Sequence, residues 1–294
     1  MSGHRALVGL IGANIQRSLS PALHEDAFAA HAMRGHYHLM DVDVGARRSL
    51  GELLEGVRAT GFLGVNVTFP YKEAVLPLLD EVSPEARQIG AVNTVTIDRD
   101  GRTQGYNTDR VGFRRSFEEG LGRASVEGQS VLLVGAGGAG RAVAFALLDL
   151  GAVRILIHDK DTARAGALVA DLNAQLGQTR AGVETDPAVA LARAAGVVNA
   201  TPIGMTGFPG IPVPLQAVRA QHWVADVVYT PLETELIKAA RAEGARVLGG
   251  SGMCVHQAAE SFRLFTGLAA DVPRMQRVFA EAAAAREQAM AASV

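Results

Sequence analysis

Short apolar runs alternate with longer segments of helical spacing along most of this chain. The four apolar residues at 131–134 are typical of a short buried strand, and a second strand is predicted at residues 154–158. A glycine-rich turn and an apolar segment with helical character lie between them. This order of strand, turn, helix and strand indicates an α/β arrangement, around which we expect the rest of the chain to be built.

The turn carries Gly135, Gly137 and Gly140 in a G-x-G-x-x-G spacing. The first glycine permits a tight turn, the second lets backbone approach a pyrophosphate, and the third lets helix and strand pack closely. The helix that follows points its free N–H groups at the phosphates. Asp159 ends the second strand about 20 residues later, where an acid that binds the adenosine ribose is expected. The stretch predicts a dinucleotide site; a glycine turn without a ligand is the alternative.

The remaining apolar pattern predicts further strands and helices in alternation. In the first half these are strands at residues 6–11 and 37–44, helices from Ser20 and at residues 50–59 and 76–81, and a hairpin at residues 90–109 that turns at Asp100-Gly101. In the second half they are a helix at residues 163–176, strands at residues 196–200 and 223–228, a helix ending at Ala242 and a helix that carries Gln257.

The loop before the first predicted helix contains two serines. Ser20 precedes Pro21, which is favoured at the first helical position, so Ser20 is predicted to be the N-cap. Glu25 and Asp26 then fall near the first turn, as the helix dipole favours. Ser18 and Ser20 would lie at a positive helix end, where a carboxylate can bind. The alternative is a plain cap beside a loop serine.

Polar side chains also gather at the end of the strand in GFLGVNVTFPYK. Asn66 and Thr68 are two residues apart, so their side chains share one face of the strand. Pro70 ends the strand, and Lys72 follows closely. Because open α/β sheets bind ligands at the carboxyl ends of their strands, we expect these side chains to face a ligand. The alternative for Lys72 is a solvated surface charge.

The predicted hairpin supplies a further polar group. Asn93 lies on its first arm, and Asn107, Thr108 and Asp109 end the second arm. We take Asn93 and Asp109 as candidate site residues. The alternative for Asp109 is to cap the helix that begins near Val111.

Composition narrows the possible partners. The 294 residues suffice for two domains, and 48% hydrophobic with 20% charged residues suits a globular protein with substantial cores. The net charge is −2 without long one-sign runs, so we expect neither nucleic acid nor a membrane as partner.

A single cysteine, Cys254, fits a reducing, cytoplasmic location. The neighbouring His31, His36 and His38 lack a second ligand motif, so no metal site is predicted.

Seven motifs, in this order, resemble the shikimate dehydrogenase family: RSLSP, NVTFPYK, GAVNTV, GYNTD, GAGGAG, NATPIGM and GMCVHQA. The resemblance covers nearly the whole chain. It is strongest to the NAD-dependent quinate/shikimate branch, through AVLPLLDEVSPEA, HWVADVVYTPLETELIKAAR and FRLFTG. It implies two α/β domains: a substrate domain at residues 1–112, completed by the helices of residues 250–294, and a Rossmann-type dinucleotide domain at residues 113–249.

The implied activity is reversible oxidation of shikimate to 3-dehydroshikimate, or of quinate to 3-dehydroquinate, with hydride passing to NAD and NADP less favoured. The partner is then a small polyhydroxylated cyclohexane or cyclohexene carboxylate, and the enzyme a monomer or homodimer. The pair Ser18 and Ser20 resembles shikimate-type enzymes and favours shikimate as the better substrate. The alternatives are a quinate-preferring or amino-shikimate dehydrogenase, or a dinucleotide-binding regulator without turnover.

The resemblance also assigns residues to roles. It implies Lys72 and Asp109 as the catalytic pair, which also bind substrate, and Ser18 and Ser20 as ligands of the substrate carboxylate. The groups expected to meet ring hydroxyls are Asn66, Thr68, Asn93, Asp109 and Gln257. The residues expected to bind the dinucleotide are Gly135, Ala136, Gly137, Gly138, Ala139, Gly140, Asp159, Asn199, Thr201, Pro202, Val228, Gly252 and Met253.

Overall fold

The computed structural model describes residues 5–42 and 49–291, with side chains up to residue 289. The chain forms two compact units, one of Met1–Thr108 with Val255–Val294 and one of Asp109–Cys254. Each unit contains a six-stranded sheet with helices, which confirms the predicted α/β class. Among the described residues, no helix combines the length and apolar character needed to cross a membrane.

The first unit is a mixed α/β structure. Its elements before residue 109 are β1 (Arg5–Gly12), α1 (Ser20–Ala30), β2 (Arg34–Asp41), α2 (Leu50–Ala59), β3 (Gly64–Val67), β4 (Glu81–Val82), α3 (Pro84–Ile89), β5 (Thr94–Ile97) and β6 (Thr103–Tyr106). The strand order is β2-β1-β3-β5-β6-β4. Strands β1, β2 and β3 run parallel, whereas β5 and β6 form the predicted antiparallel hairpin.

One apolar cluster holds α2 against this sheet. Leu54 and Val57 of α2 are buried with Val65 and Val67 of β3 and Val95 of β5. A capping box fixes the start of α2, because Ser49 and Glu52 exchange side-chain and backbone hydrogen bonds. The central strand β3 is buried on both faces, so Asn66 within it is a polar group in an otherwise apolar layer.

Two sequence predictions in this unit differ from the structure. The helix predicted at residues 76–81 is a single 3₁₀ turn at Leu76–Leu78, and Glu81 already belongs to β4. Asp80 explains the change, because its carboxylate accepts hydrogen bonds from the N–H and hydroxyl of Thr103 at 2.8 and 2.9 Å and draws the segment alongside β6. The predicted strand 37–44 ends at Asp41; its last predicted residues lie outside the described ones.

The second unit has an all-parallel sheet. Its elements are α4 (Asp109–Gly120), β7 (Ser130–Val134), α5 (Gly138–Asp149), β8 (Arg154–His158), α6 (Thr162–Leu176), β9 (Ala181–Val183), α7 (Pro187–Leu191), β10 (Gly196–Asn199), β11 (Trp223–Asp226), α8 (Glu235–Ala242) and β12 (Arg246–Leu248). The strand order is β12-β11-β10-β7-β8-β9. In chain order this is the 3-2-1-4-5-6 arrangement of dinucleotide-binding sheets, and β7 lies at the point where the order reverses.

Two long helices follow β12. They are α9 (Ser251–Thr266) and α10 (Val272–Ala291). Within the first unit, α10 packs against α1, and Phe262 of α9 lies 5.3 Å from Phe28 of α1 between ring centroids.

Candidate functional site

The turn after β7 presents bare backbone. Gly135 has a φ of +104°, a conformation that favours glycine, and a Cβ on Gly140 would collide with the carbonyl oxygen of Gly135. Helix α5 begins at Gly138, with Gly137 as its N-cap residue and no side chain capping it. The N-terminal N–H groups of α5 are thus unblocked by a capping side chain, as a bound pyrophosphate requires.

Asp159 is tied to this turn. Its Oδ2 accepts a hydrogen bond from the N–H of Ala136 at 2.7 Å, and its Oδ1 accepts one from the N–H of Asp161 at 2.9 Å. A half-buried carboxylate therefore lies beside the glycine turn, at the carboxyl end of β8. The exposed Arg164 also reaches the turn, because its Nη2 lies 3.5 Å from the position of a Cβ on Gly137. Lys160 is exposed.

Asn199 acts on protein groups rather than lying open to a dinucleotide. Its side chain is 0% exposed, and its Nδ2 donates to the carbonyl of Ile203 at 3.0 Å and to Asp226 Oδ1 at 2.9 Å. Its Oδ1 accepts from both the N–H and the hydroxyl of Thr201. Asn199 therefore shapes the loop in which Thr201 is half-buried and Pro202 is exposed.

Asp226 is the centre of this loop network, and sequence reasoning missed it. It accepts hydrogen bonds from Asn199, from the N–H of Val228 at 3.0 Å and from the hydroxyl of Thr234 at 2.7 Å. Burial raises the pKa of the Asp226 carboxyl, and these three donors act against that rise. An acid inside the apolar run WVADVV was the signal available in the sequence.

Val228, Gly252 and Met253 were also predicted to bind the dinucleotide. Val228 and Met253 are 6% and 8% exposed. A Cβ on Gly252 would collide with the side chain of Ser116, so this glycine lets the start of α9 pack against α4. Gly252 thus has a packing role that the sequence did not indicate.

The prediction that Ser20 caps α1 is wrong. Ser20 is the first residue of the helix, its N-cap position is Leu19, and the first turn contains no acidic residue. Instead, Ser18 Oγ accepts a hydrogen bond from the N–H of Ser20 at 3.2 Å and donates one to Ser20 Oγ at 3.1 Å. The helix starts one residue earlier because the N–H of Leu23 donates to the carbonyl of Leu19 at 3.2 Å, and Pro21 is tolerated within the first turn because it needs no acceptor there. The two hydroxyls nevertheless lie together at the helix start.

Glu25 and Asp26, predicted near that first turn, serve elsewhere. Glu25 accepts hydrogen bonds from the His36 ring and from the N–H of Tyr37. Asp26 pairs with Arg274 of α10, whose guanidinium lowers the pKa of this carboxyl.

Asn66 lies at the centre of a buried polar network. Its Oδ1 accepts from the hydroxyl of Tyr37 at 2.8 Å, and its Nδ2 lies 3.0 Å from both Thr94 Oγ1 and Ser261 Oγ. Asn66 is 6% exposed, so these protein partners fix its amide in one orientation.

Asn93, Thr108 and Gln257 extend the same network. Asn93 Nδ2 donates to Thr108 Oγ1 at 2.9 Å, and Asn93 Oδ1 accepts from the N–H of Thr108 at 2.8 Å. Thr108 Oγ1 reaches Gln257 Oε1 at 3.5 Å, and Ser261 Oγ donates to the carbonyl of Gln257 at 2.9 Å. The first unit therefore brings together Asn66, Asn93 and Gln257, which the sequence places far apart.

Thr68, Lys72 and Asp109 complete the predicted set. Thr68 follows β3 directly and is half-buried, with its methyl group over Gly12, where a Cβ would collide with it. Lys72 is half-buried, and its carbonyl accepts from the N–H of Val92 at 2.8 Å. Asp109 is 5% exposed and is the first residue of α4.

Sequence reasoning missed Tyr37, Thr94 and Ser261 in this network. Thr94 is fully buried beside Asn93, and Ser261 lies one helical turn after Gln257. The i, i+4 spacing of Gln257 and Ser261 was a usable signal. No sequence signal marked Tyr37. Its hydroxyl reaches Asn66 because β2, which carries Tyr37, and β3, which carries Asn66, both pair with β1.

Comparison with known proteins places these features in a family. Residues 10–95 match the sequence model described as shikimate dehydrogenase substrate binding domain, and residues 250–278 match that of the shikimate 5′-dehydrogenase C-terminal domain. A quinate/shikimate dehydrogenase (NAD(+)) of Corynebacterium efficiens is 49% identical over 287 residues, covering 95% of this chain and 99% of the relative.

Two further similar proteins are a relative named for NADP(+) and a solved structure with NAD. A shikimate dehydrogenase (NADP(+)) of Streptomyces avermitilis is 48% identical over 283 residues, covering 94% of this chain and 96% of the relative. The solved quinate dehydrogenase of Corynebacterium glutamicum in complex with NAD has a TM-score of 0.87 and 46% identity, covering 95% of this chain and 100% of that one. Relatives of nearly equal identity thus differ in the cofactor that their names give.

Proposed function

This chain belongs to the shikimate dehydrogenase family, and from that membership we propose that it is an NAD-dependent oxidoreductase that interconverts shikimate and 3-dehydroshikimate. The observation that carries the proposal is the near full-length similarity to relatives named quinate/shikimate dehydrogenase (NAD(+)). The residues of the two units agree with that chemistry, one with a dinucleotide and the other with a polyhydroxylated acid.

The glycine turn and Asp159 fit NAD. A pyrophosphate needs close approach to backbone N–H groups. Gly135 and Gly140 let the turn pack tightly, and no side chain caps the start of α5 at Gly137. Asp159 can accept hydrogen bonds from ribose hydroxyls, whereas a 2′-phosphate would meet a carboxylate of like charge. The positively charged Arg164 beside the turn would attract a 2′-phosphate. It therefore reduces the preference for NAD over NADP, but the carboxylate of Asp159 remains.

Bound NAD supplies the hydride acceptor of the reaction. The substrate hydroxyl must lose its proton as the hydride leaves, and we assign that proton transfer to Lys72 Nζ. In the reductive direction the cationic lysine donates the proton and stabilises negative charge on the reacting oxygen. Asp109 is assigned as the second member of the pair, a carboxylate that accepts a hydrogen bond from the substrate.

Substrate recognition is assigned to the hydroxyls and amides of the first unit. Ser18 and Ser20 offer two adjacent hydroxyls for the carboxylate. Asn66 and Asn93 are held by several protein hydrogen bonds each, so their positions are set before substrate arrives. Gln257 and Thr68 are assigned to ring hydroxyls, which would be costly to bury without a partner.

Quinate is the second candidate substrate. The similarity to a solved quinate dehydrogenase favours it. Quinate differs from shikimate by a hydroxyl on the carbon that bears the carboxylate, so the serine pair would meet that group directly. We expect shikimate to be the better substrate, because the pair Ser18 and Ser20 resembles shikimate-type enzymes.

The test is kcat/KM for shikimate and quinate, each with NAD and NADP. We expect NAD to be favoured by roughly 10- to 1000-fold, since like charges about 4 Å apart repel by one to several kcal/mol. Shikimate dehydrogenation with NADP alone would contradict the cofactor assignment. Absence of turnover with both acids would contradict the function itself.

The variant Asp159→Asn removes the negative charge of this side chain but keeps an oxygen that can accept a hydrogen bond. The amide oxygen can still accept from the N–H of Ala136, so the glycine turn keeps its partner. We expect NADP use relative to NAD to rise at least tenfold. The matched control is Asp161→Asn, which changes an exposed acid two residues away that caps α6. An equal rise in both variants would contradict the role of Asp159.

A further inference from the structure

Arg286 of α10 reaches back to the loop that carries the two serines. Its Nη1 donates a hydrogen bond to the carbonyl of Arg17 at 3.0 Å. That carbonyl belongs to the peptide unit linking Arg17 to Ser18. The N–H of the same peptide unit donates to the carbonyl of Ile15 at 2.9 Å. One peptide plane is therefore held at both of its polar ends.

Holding this plane restrains the backbone from which the Ser18 side chain projects, because the Cα of Ser18 lies in the peptide plane that Arg286 and Ile15 hold. Ser18 Oγ in turn contacts both the N–H and the Oγ of Ser20. The placement of both hydroxyls thus depends on a side chain that is 269 positions from Arg17 in the sequence.

The remaining donors of Arg286 are not satisfied in the way that those of a stabilising ion pair are. Its Nε and Nη2 are buried, and neither has a hydrogen-bond partner in the described part of the chain. Arg274, on the same helix, places the corresponding two nitrogens on the carboxylate of Asp26, both at 2.7 Å. Buried cationic donors without an acceptor destabilise a fold. A function of the single Nη1 bond would explain why an arginine is found here.

We propose that Arg286 is a positioning residue for the substrate carboxylate, acting through the peptide between Arg17 and Ser18; this rests on the function proposed above. Arg286 sets the orientation of the Ser18 and Ser20 hydroxyls. Its removal weakens binding of the acid and leaves the hydride-transfer step intact.

The central variant is Arg286→Met. We expect the KM for shikimate to rise about tenfold, the order expected for a lost hydrogen bond to a charged partner, with kcat and the KM for NAD unchanged. The melting temperature should stay level or rise, because two unsatisfied donors are removed. Arg286→Lys keeps a donor and should retain most of the affinity. The methyl ester of shikimate, which lacks the charged carboxylate, should show a smaller loss than shikimate.

Two variants on α10 provide controls. Arg274→Met breaks the ion pair to α1 without touching the serine loop, and Arg277→Met removes an exposed cation. We expect both to leave the KM for shikimate within about twofold, since surface charges contribute little to a specific site. A rise equal to that of Arg286→Met would mean that docking of α10, or its net charge, sets the affinity.

Each contrary result has a distinct meaning. An unchanged KM in Arg286→Met, beside a wild type that oxidises shikimate, overturns the positioning role and leaves the proposed function standing. A melting temperature below that of Arg274→Met, or an unfolded Arg286→Met, also overturns it, because the contact would then be structural. A wild type inactive on shikimate and quinate overturns the function, and the inference with it.

Discussion

The hydroxyl of Ser18 makes two hydrogen bonds to Ser20. It accepts one from the N–H of Ser20 and donates one to the Ser20 hydroxyl. A side-chain acceptor for a free N–H at a helix start is worth about 1 kcal/mol. Ser20 offers no such bond to the helix backbone, although both residues contribute hydroxyls to the proposed carboxylate site. Stability and substrate binding can therefore be separated by mutating the two serines individually.

We predict that Ser18→Ala lowers the melting temperature by about 2–4 °C and that Ser20→Ala lowers it by less than half as much. Both variants should raise the KM for shikimate about 10- to 100-fold, since each loses a hydrogen bond to a charged group. Differential scanning fluorimetry and steady-state kinetics measure the two effects. A larger thermal shift in Ser20→Ala would contradict the assignment of Ser18 as the acceptor.

Lys72 is the residue on which the chemical step depends in our proposal. Lys72→Met should keep the fold and bind shikimate within about tenfold of wild type, while kcat falls by about 10²–10⁴, the usual contribution of a positioned acid–base group. Lys238→Met is the matched control, because Lys238 is exposed and pairs with Glu235. A kcat within a few-fold of wild type in Lys72→Met would remove Lys72 from proton transfer.

At the scale of single residues, the sequence predicted site residues within short motifs better than it predicted their hydrogen-bond partners. Asn66 lies within β3, Asn93 directly precedes β5 and Asp159 directly follows β8, and each belongs to a recognisable motif. Ser261 and Arg286 lie on later helices, and only the fold brings them to Asn66 and Arg17. The error at Ser20 was local, because residues on either side of Ser20 offered plausible helix starts and Pro21 permits more than one.

The buried ring of His24 packs helix α1 within the first unit. His24 is 1% exposed, and its ring stacks on Tyr37 with centroids 4.7 Å apart. Neither ring nitrogen has a partner among the residues described. Burial lowers the pKa of His24 from 6.5 to about 3, so the ring is neutral where α1 is packed.

This shift predicts sensitivity of the fold to acid. Between pH 6.5 and about 3 the unfolded chain binds a proton at His24 that the folded chain does not, so stability falls as the pH falls through this window. Each pH unit costs about 1.4 kcal/mol from this group. In His24→Leu that contribution disappears, and the variant should lose about 2.5 kcal/mol less than wild type between pH 7 and pH 4.5.

Urea unfolding at both pH values measures the His24 effect. Comparison at pH 7 and above supplies the internal control, because the proton-linked difference should be constant there. Parallel losses in wild type and His24→Leu down to pH 4.5 would show that His24 titrates alike in the folded and unfolded states.

Helices and strands were predicted best where the spacing of apolar residues was regular or the turn residues were distinctive. Strand β7 ends at the glycine turn, β8 ends at Asp159, and the β5–β6 hairpin turns at Asp100-Gly101, so each was marked in the sequence. The segment around Asp80 was misjudged, since its extended form depends on bonds to Thr103, which no local pattern reveals. Strand β9 and helix α7 were missed because each is five residues or fewer.

At the scale of the whole molecule, the proposed ligand contacts fall largely into different compact units. The glycine turn and Asp159 belong to the unit of Asp109–Cys254. The serine loop and the network of Asn66, Asn93 and Gln257 belong to the unit of Met1–Thr108 with Val255–Val294. The glycine turn and Asp159 follow the neighbouring strands β7 and β8 of one sheet, whereas Asn66 lies in β3 and Asn93 directly before β5 of the other sheet.

Hydrogen exchange with each ligand alone tests this division. NAD should slow exchange in peptides covering residues 131–141 and 158–165, because bound phosphates and ribose restrain the turn and its acidic partner. Shikimate should slow exchange in peptides covering residues 15–21 and 91–108. Residues 167–176 of α6, outside both predicted sets, serve as the internal reference. Protection by shikimate confined to residues 131–165 would contradict the assignment of substrate recognition to the first unit, whatever the turnover rates show.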